Sequence, residues 1–180
     1  MTVDFPNKHF LINGEWVCSN TEIDLINPST GDVIAQVSEA NDEHVNDAVG
    51  VAKDTLENTW KNITARERST LLSTLGRLIE ENYDVLASLE ATDVGKPLRQ
   101  AQADVKALAR YMEFYAGAAD KLHGDTIPYL EDYTVYTLRE PHGVCAHIIP
   151  WNYPMQIIGR SVGAAPVSYT HLTLPTNDLV

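Results

Sequence analysis

An asparagine held between two prolines is the residue in this chain best placed to do chemistry. The segment reads Ile148-Ile149-Pro150-Trp151-Asn152-Tyr153-Pro154-Met155. A neutral amide fixed there, beside Trp151, can donate an N–H to an oxyanion. A donor already aimed where negative charge develops needs little reorganisation during reaction. Alternatively, Asn152 satisfies backbone groups in a tight turn. On the segment alone, the turn reading is the one favoured.

Other reactive groups are dispersed. Cys18 and Cys145 are too few and too far apart for a disulfide framework or a metal clasp. Cys18 follows a predicted hairpin strand. Cys145 falls in an apolar run, where a buried thiol is inert. The six histidines (His9, His44, His123, His142, His147 and His171) include no i, i+4 pair, and no metal site is expected. Thirteen Lys and Arg stand against 25 Asp and Glu, a net charge of −12, which repels phosphates and argues against nucleic acid as a partner. No basic segment leads into an apolar one near Met1, and no apolar window is long enough to span a bilayer. The expected setting is soluble and cytoplasmic, with no membrane partner.

The elements that must hold the asparagine loop follow from local patterns. Asn13-Gly14 between residues 10–12 and 15–17 predicts a hairpin. A second extended pair brackets Asn27-Pro28-Ser29-Thr30-Gly31. Asn41 caps a helical stripe of Val45, Ala48, Val49, Ala52 and Leu56. Thr64 and Glu67 form a capping-box pattern ahead of Leu71, Leu72, Leu75, Leu78 and Ile79. Val85, Leu86, Leu89 and Val94 mark a third helix that stops at Gly95. Val105, Leu108, Ala109, Met112, Tyr115, Ala116 and Ala119 mark a fourth and longest. Residues 133–138 favour a strand. Residues 144–149 read as a strand buried on both faces of a parallel sheet. Two prolines argue against helix in residues 150–154, and residues 155–165 predict a helix packed on that sheet. A strand, a polar loop at its carboxyl end and a following helix is the layout in which open α/β sheets bind ligands.

The 150–154 loop closely resembles the Pro-Trp-Asn-(Phe/Tyr)-Pro loop of the aldehyde dehydrogenase superfamily. Further segments resemble family motifs in the family's order. They are Ile12-Asn13-Gly14-Glu15-Trp16, Asn27-Pro28-Ser29-Thr30-Gly31, Ala65-Arg66-Glu67-Arg68, Gly95-Lys96-Pro97, Tyr115-Ala116-Gly117-Ala118 and Arg139-Glu140-Pro141-His142-Gly143-Val144. Together they cover about residues 10–165. The resemblance implies an α/β chain forming the N-terminal part of the aldehyde dehydrogenase fold, with an incomplete Rossmann-like parallel sheet, helices and a protruding β-hairpin. It divides the chain at 1–124 (part of the cofactor-binding domain), 125–141 (an oligomerisation hairpin), 142–166 (the first strand-loop-helix of the sheet) and 167–180.

Family members oxidise an aldehyde to a carboxylic acid with NAD or NADP, through attack by a cysteine thiolate and hydrolysis of a thioester with help from a glutamate. By resemblance, Asn152 supplies the side-chain N–H of the oxyanion hole. Ile148, Ile149, Pro150 and Trp151 border the cofactor, Tyr153 and Ile157 face the aldehyde tunnel, and the hairpin joins subunits into a homo-oligomer. The family's nucleophile, base and nucleotide turn belong to later segments, and Cys18 and Cys145 are not their counterparts. Residues 167–180 depart from the family pattern. Residues 167–176 resemble the translation of a transposon-type sequencing adapter, so the 167–180 tail is expected to be an artefact that does not fit the fold. Two other readings compete with a dehydrogenase that is inactive as these 180 residues alone. One is a non-catalytic scaffold that associates through the hairpin, and the other is an isolated nucleotide-binding module.

Overall fold

The computed structural model describes residues 9–167 and 171–173. It opens with two antiparallel hairpins. β1 (Phe10–Ile12) pairs with β2 (Glu15–Val17) across Asn13 and Gly14, whose φ values of 53° and 76° are those of a two-residue turn matching the twist of the strands. β3 (Glu22–Ile26) pairs with β4 (Val33–Ser38) across the Asn27–Asp32 turn, closed by the Asn27 N–H donating to the Asp32 carbonyl at 2.9 Å.

Four helices follow, and the first three have the end expected of them. α1 (Asp42–Asn58) is capped by Asn41, whose side chain accepts from the His44 N–H. His44 Nδ1 in turn accepts from the Asn41 N–H, and the ring lies edge-on to Phe10 at 4.7 Å, fastening α1 to the first hairpin. α2 (Ala65–Glu81) starts in the predicted capping box, with Thr64 and Glu67 satisfying each other's backbone N–H. α3 (Tyr83–Val94) ends at Gly95, φ 74°, whose N–H donates to the Ala91 carbonyl. A side chain there would be strained by that φ and would sit 2.5 Å from Pro28 Cγ, so glycine lets the β3–β4 turn close on the helix end. α4 (Leu98–Ala118) runs back along α2 and α3 and carries most of the core. Ala101, Val105, Leu108, Met112 and Ala116 bury against Leu72, Ile79 and Ala87.

Beyond α4 the chain thins into short strands. β5 (Thr126–Ile127) and β6 (Val135–Tyr136) form an antiparallel pair, shorter than the strand expected over 133–138. β7 (Val144–Ala146) is likewise half the length expected for 144–149. It is half-buried rather than covered on both faces, and Ile148 is 77% exposed. The apolar run reports what a complete sheet would cover, and among the described residues β7 lies against α1 and one strand. That strand is β8 (His171–Thr173), parallel to β7.

One expectation therefore changes. The strand beside β7 comes from the 167–180 stretch expected to stand apart from the fold. Val167 also joins the core cluster. Residues 168–170 and 174–180 lie outside the described residues.

α5 (Pro154–Val162) and α6 (Ala164–Val167) complete the helices. Pro154 is the first residue of α5 rather than part of a non-helical loop, because a helix's first N–H has no intrahelical partner to lose. α5 docks on α4 and not on the sheet as predicted. Met155 enters the core, and a Cβ at Gly159 would come within 2.6 Å of the Tyr111 ring. The result is a mixed helix-and-sheet chain whose α2–α3–α4 core props α5 and the loop that precedes it.

Candidate active site

The loop joining β7 to α5 holds the predicted site. Ile148 and Trp151 (75% exposed) project from it, with Asn152 and Pro150 also exposed and Ile149 half-buried. Among the described residues no hydrogen bond engages the Asn152 amide. A structural asparagine in a tight turn would spend its side chain on nearby backbone groups. This one keeps its N–H donors available.

Asn152 opens onto a cavity of about 380 Å³ lined by Pro150, Asn152, Tyr153, Gln156, Ile157 and Arg160. The cavity brings together Asn152 with both expected tunnel residues, Tyr153 and Ile157. Pro150, expected on the cofactor side, lines it too. Ile148, Ile149 and Trp151 lie outside it, on the strand side of Asn152, where Ile148 and Trp151 form an exposed apolar surface. A larger cavity of about 480 Å³, between the ends of α2 and α4, contains none of the predicted site residues. Pro150, Asn152, Tyr153 and Ile157 meet at the smaller of these two.

Sequence reasoning missed the polar wall of the cavity. Gln156 and Arg160 stand four and eight residues after Asn152, on the same side of the first turns of α5, and that spacing was the available signal. Arg160 donates through Nε to the Tyr111 hydroxyl at 2.8 Å and through Nη2 to Gln156 Oε1 at 3.1 Å. Gln156 Nε2 in turn donates to Asp104 Oδ1 at 2.6 Å.

Asp104 belongs to a buried ionic cluster. Lys96 Nζ bonds Glu90 Oε1 and, at 2.8 Å, Asp104 Oδ2; the side chains of Lys96, Glu90 and Asp104 are 7%, 1% and 2% exposed. Burial raises the Glu90 carboxyl above its ordinary value, and the Lys96 ammonium only partly offsets this. Burial opposes charge on Lys96 and Asp104 as well. Their mutual hydrogen bond, with Glu90 on Lys96 and Gln156 on Asp104, outweighs it, so the ammonium is raised and the Asp104 carboxyl lowered. The Lys96 ammonium also faces the Tyr153 ring, 4.5 Å from its centroid, and Gln100 Nε2 donates to the Tyr153 hydroxyl at 2.7 Å. Gly95-Lys96-Pro97 is legible in the sequence only as a motif, because its partners lie on two different helices.

Known proteins share the family and the fold of this chain. The model of the aldehyde dehydrogenase family matches residues 16–168. The chain is 40% identical over 181 aligned positions to aldehyde dehydrogenase family 2 member B4, mitochondrial, of Arabidopsis thaliana, covering 98% of this chain and 34% of that protein. It is 42% identical over 166 positions to the mitochondrial aldehyde dehydrogenase of Rattus norvegicus, covering 89% and 32%. Among solved structures, the NAD+ complex of an aldehyde dehydrogenase from Bacillus cereus superposes with a TM-score of 0.87 at 40% identity, over 91% of this chain and 34% of that one. An NADP-dependent enzyme of E. coli gives a TM-score of 0.89 at 34% identity, over 93% and 35%. The chain thus spans about a third of the length of the relatives it matches. On its matched motifs, its fold and its relatives, the chain belongs to the aldehyde dehydrogenase family.

Proposed function

We propose that the protein carrying this segment oxidises an aldehyde to a carboxylic acid with NAD or NADP, and that Asn152 donates a side-chain N–H to the carbonyl oxygen as it becomes an oxyanion. The observation that carries this reading is the unengaged Asn152 amide at the mouth of the 380 Å³ cavity. Held between Pro150 and the first residue of α5, the amide is fixed before substrate arrives, which is the condition for strong transition-state stabilisation. Tyr153 and Ile157 line the approach of the aldehyde. Ile148, Ile149, Pro150 and Trp151 offer the cofactor an apolar border: the exposed Ile148 and Trp151 side chains suit a flat ring. When bound there, the nicotinamide supplies the hydride acceptor.

The nucleophilic cysteine and the glutamate base are assigned to segments other than these 180 residues. Cys18 is exposed at the end of the first hairpin, and Cys145 is half-buried in β7. The described residues by themselves are therefore proposed to be inactive toward aldehydes. The protruding hairpin around β5 and β6 is proposed to join subunits of a homo-oligomer, in keeping with the exposed Tyr129, Leu130, Tyr133, Tyr136 and Leu138. No helix of the described residues is long and apolar enough to cross a membrane. A cytoplasmic setting, with neither nucleic acid nor membrane as partner, remains the proposal, and cell fractionation tests it. The deciding experiment is Asn152→Ala in the complete enzyme. It should lower kcat on the order of 10²–10³-fold, the usual cost of one oxyanion donor. Unchanged turnover would remove Asn152 from the mechanism.

A further inference from the structure

The Asn152 loop leaves β7 with Ile148, Trp151 and Asn152 all exposed, so little on its strand side fixes the amide. Its helix side is different. Tyr153 and Gln156, one and four residues beyond Asn152, are both held by the buried Glu90–Lys96–Asp104 cluster. Lys96 has three N–H donors. Two go to the carboxylates, and the ammonium also faces the ring of Tyr153. Asp104 likewise divides its oxygens, Oδ2 to Lys96 and Oδ1 to Gln156. Gln100 fixes the Tyr153 hydroxyl, so the ring is held at its face and at its edge.

We propose that Lys96 is a positioning residue for the Asn152 amide, acting through the face of Tyr153 and, by way of Asp104, through Gln156. The proposal rests on the reading of Asn152 as oxyanion donor. A cluster that only stapled α3 to α4 would be served as well or better by apolar side chains, because burying three charges has a large desolvation cost. Apolar replacements could not reproduce the two contacts that leave the cluster, and both end on the helix turn that follows the asparagine. An oxyanion donor must be held to about 0.5 Å. Misplacement by about 1 Å costs on the order of 10²-fold in rate. A desolvated ammonium against a ring is among the stronger contacts available to fix an aromatic side chain.

The test is a kinetic cycle in the complete enzyme, combining Lys96→Met with Asn152→Ala and following kcat, KM and thermal melting. Lys96→Met alone should lower kcat about 10-fold and leave KM within about twofold, a partial loss of aim. On the Asn152→Ala background the same change should alter kcat by less than about twofold, because the group it positions is gone. A protein whose Lys96 serves folding alone would show equal losses on both backgrounds, and that result would overturn the proposal while Asn152→Ala still upheld the oxyanion reading. Unchanged kcat in Lys96→Met would overturn it too. If Asn152→Ala itself has no effect, the oxyanion reading fails and the positioning role falls with it. Removing Lys96 strands two buried carboxylates, so a neutral triple variant, Glu90→Gln with Lys96→Met and Asp104→Asn, carries the same cycle where the single variant does not fold. Failure of both to fold would make the cluster a folding staple and end the proposal.

Discussion

At the residue scale, the loop that bears Asn152 also carries a half-buried weak base. His147 lies between β7 and the Pro150 turn. Among the described residues its buried Nε2 has no hydrogen-bond partner, and burial lowers its pKa below the ordinary 6.5. A histidine kept neutral by burial binds its proton less readily in the folded chain than in the unfolded one. Its neutral form is fully accommodated above pH 6.5. As pH falls below that value the unfolded chain is protonated first, and stability is lost down to the folded-state pKa, where the loss levels off. The melting temperature of the protein should therefore drop more steeply below pH 6.5 than that of His147→Gln, which removes the titration. Parallel pH profiles for the two would show that this histidine is not a source of the slope. The asparagine loop stood out in the sequence because proline spacing is a local signal, but the role expected of Asn152 came from the family resemblance. The cluster behind it was not: Glu90, Lys96 and Asp104 meet only because the Gly95 turn folds α4 back along α3.

At the scale of elements, local chemistry was legible and packing was not. Asn13-Gly14, the Asn41 cap, the Thr64–Glu67 box and the Gly95 stop each encode their structure within a few residues, and each appears as expected. The strand over 144–149 and the partner of α5 depend on what lies across the chain, which periodicity cannot report. α5 packs on α4 because Gly159 presents bare backbone to Tyr111. Two glycine substitutions separate this cause from simple helix propensity. Gly50, exposed on α1, has nothing within 4 Å of the point a methyl group would occupy, so Gly50→Ala should stabilise by about 0.8–1.0 kcal/mol. Gly159→Ala gains the same propensity but drives a methyl to within 2.6 Å of Tyr111 Cδ2 and 3.1 Å of its Cβ. It should destabilise by about 1–3 kcal/mol, as overpacked sites do. The displacement should also weaken the hydrogen bond from Arg160 to Tyr111 on the cavity wall. Chemical denaturation of the two variants checks both signs, and stabilisation by Gly159→Ala would mean that α5 and α4 are not closely seated.

At the scale of the molecule, the chain follows its helical core with a ribbon that cannot support itself. β5 and β6 pair over only two residues each, and an isolated two-stranded hairpin is marginal in water. The Tyr129 and Tyr133 rings meet edge-to-face at 5.8 Å near the tip, so part of the aromatic surface is used internally. Leu130, Tyr136 and Leu138 remain exposed, and apolar side chains left in water on a short hairpin suit a protein contact. A second subunit fits the need better than a charged partner, because the hairpin offers apolar area while the chain as a whole carries a charge of −12. In the complete enzyme, Leu130→Ser with Leu138→Ser should therefore shift the protein toward smaller species in light scattering. The melting of the α2–α4 core should change little, since neither leucine belongs to the core cluster. Each lost leucine contact removes on the order of 1.5–3 kcal/mol of burial if it is fully covered in the assembly. A symmetric interface uses each side chain twice, so the shift should be large at micromolar protein. An unchanged mass at that concentration would separate the hairpin from assembly and leave its apolar face to some other contact.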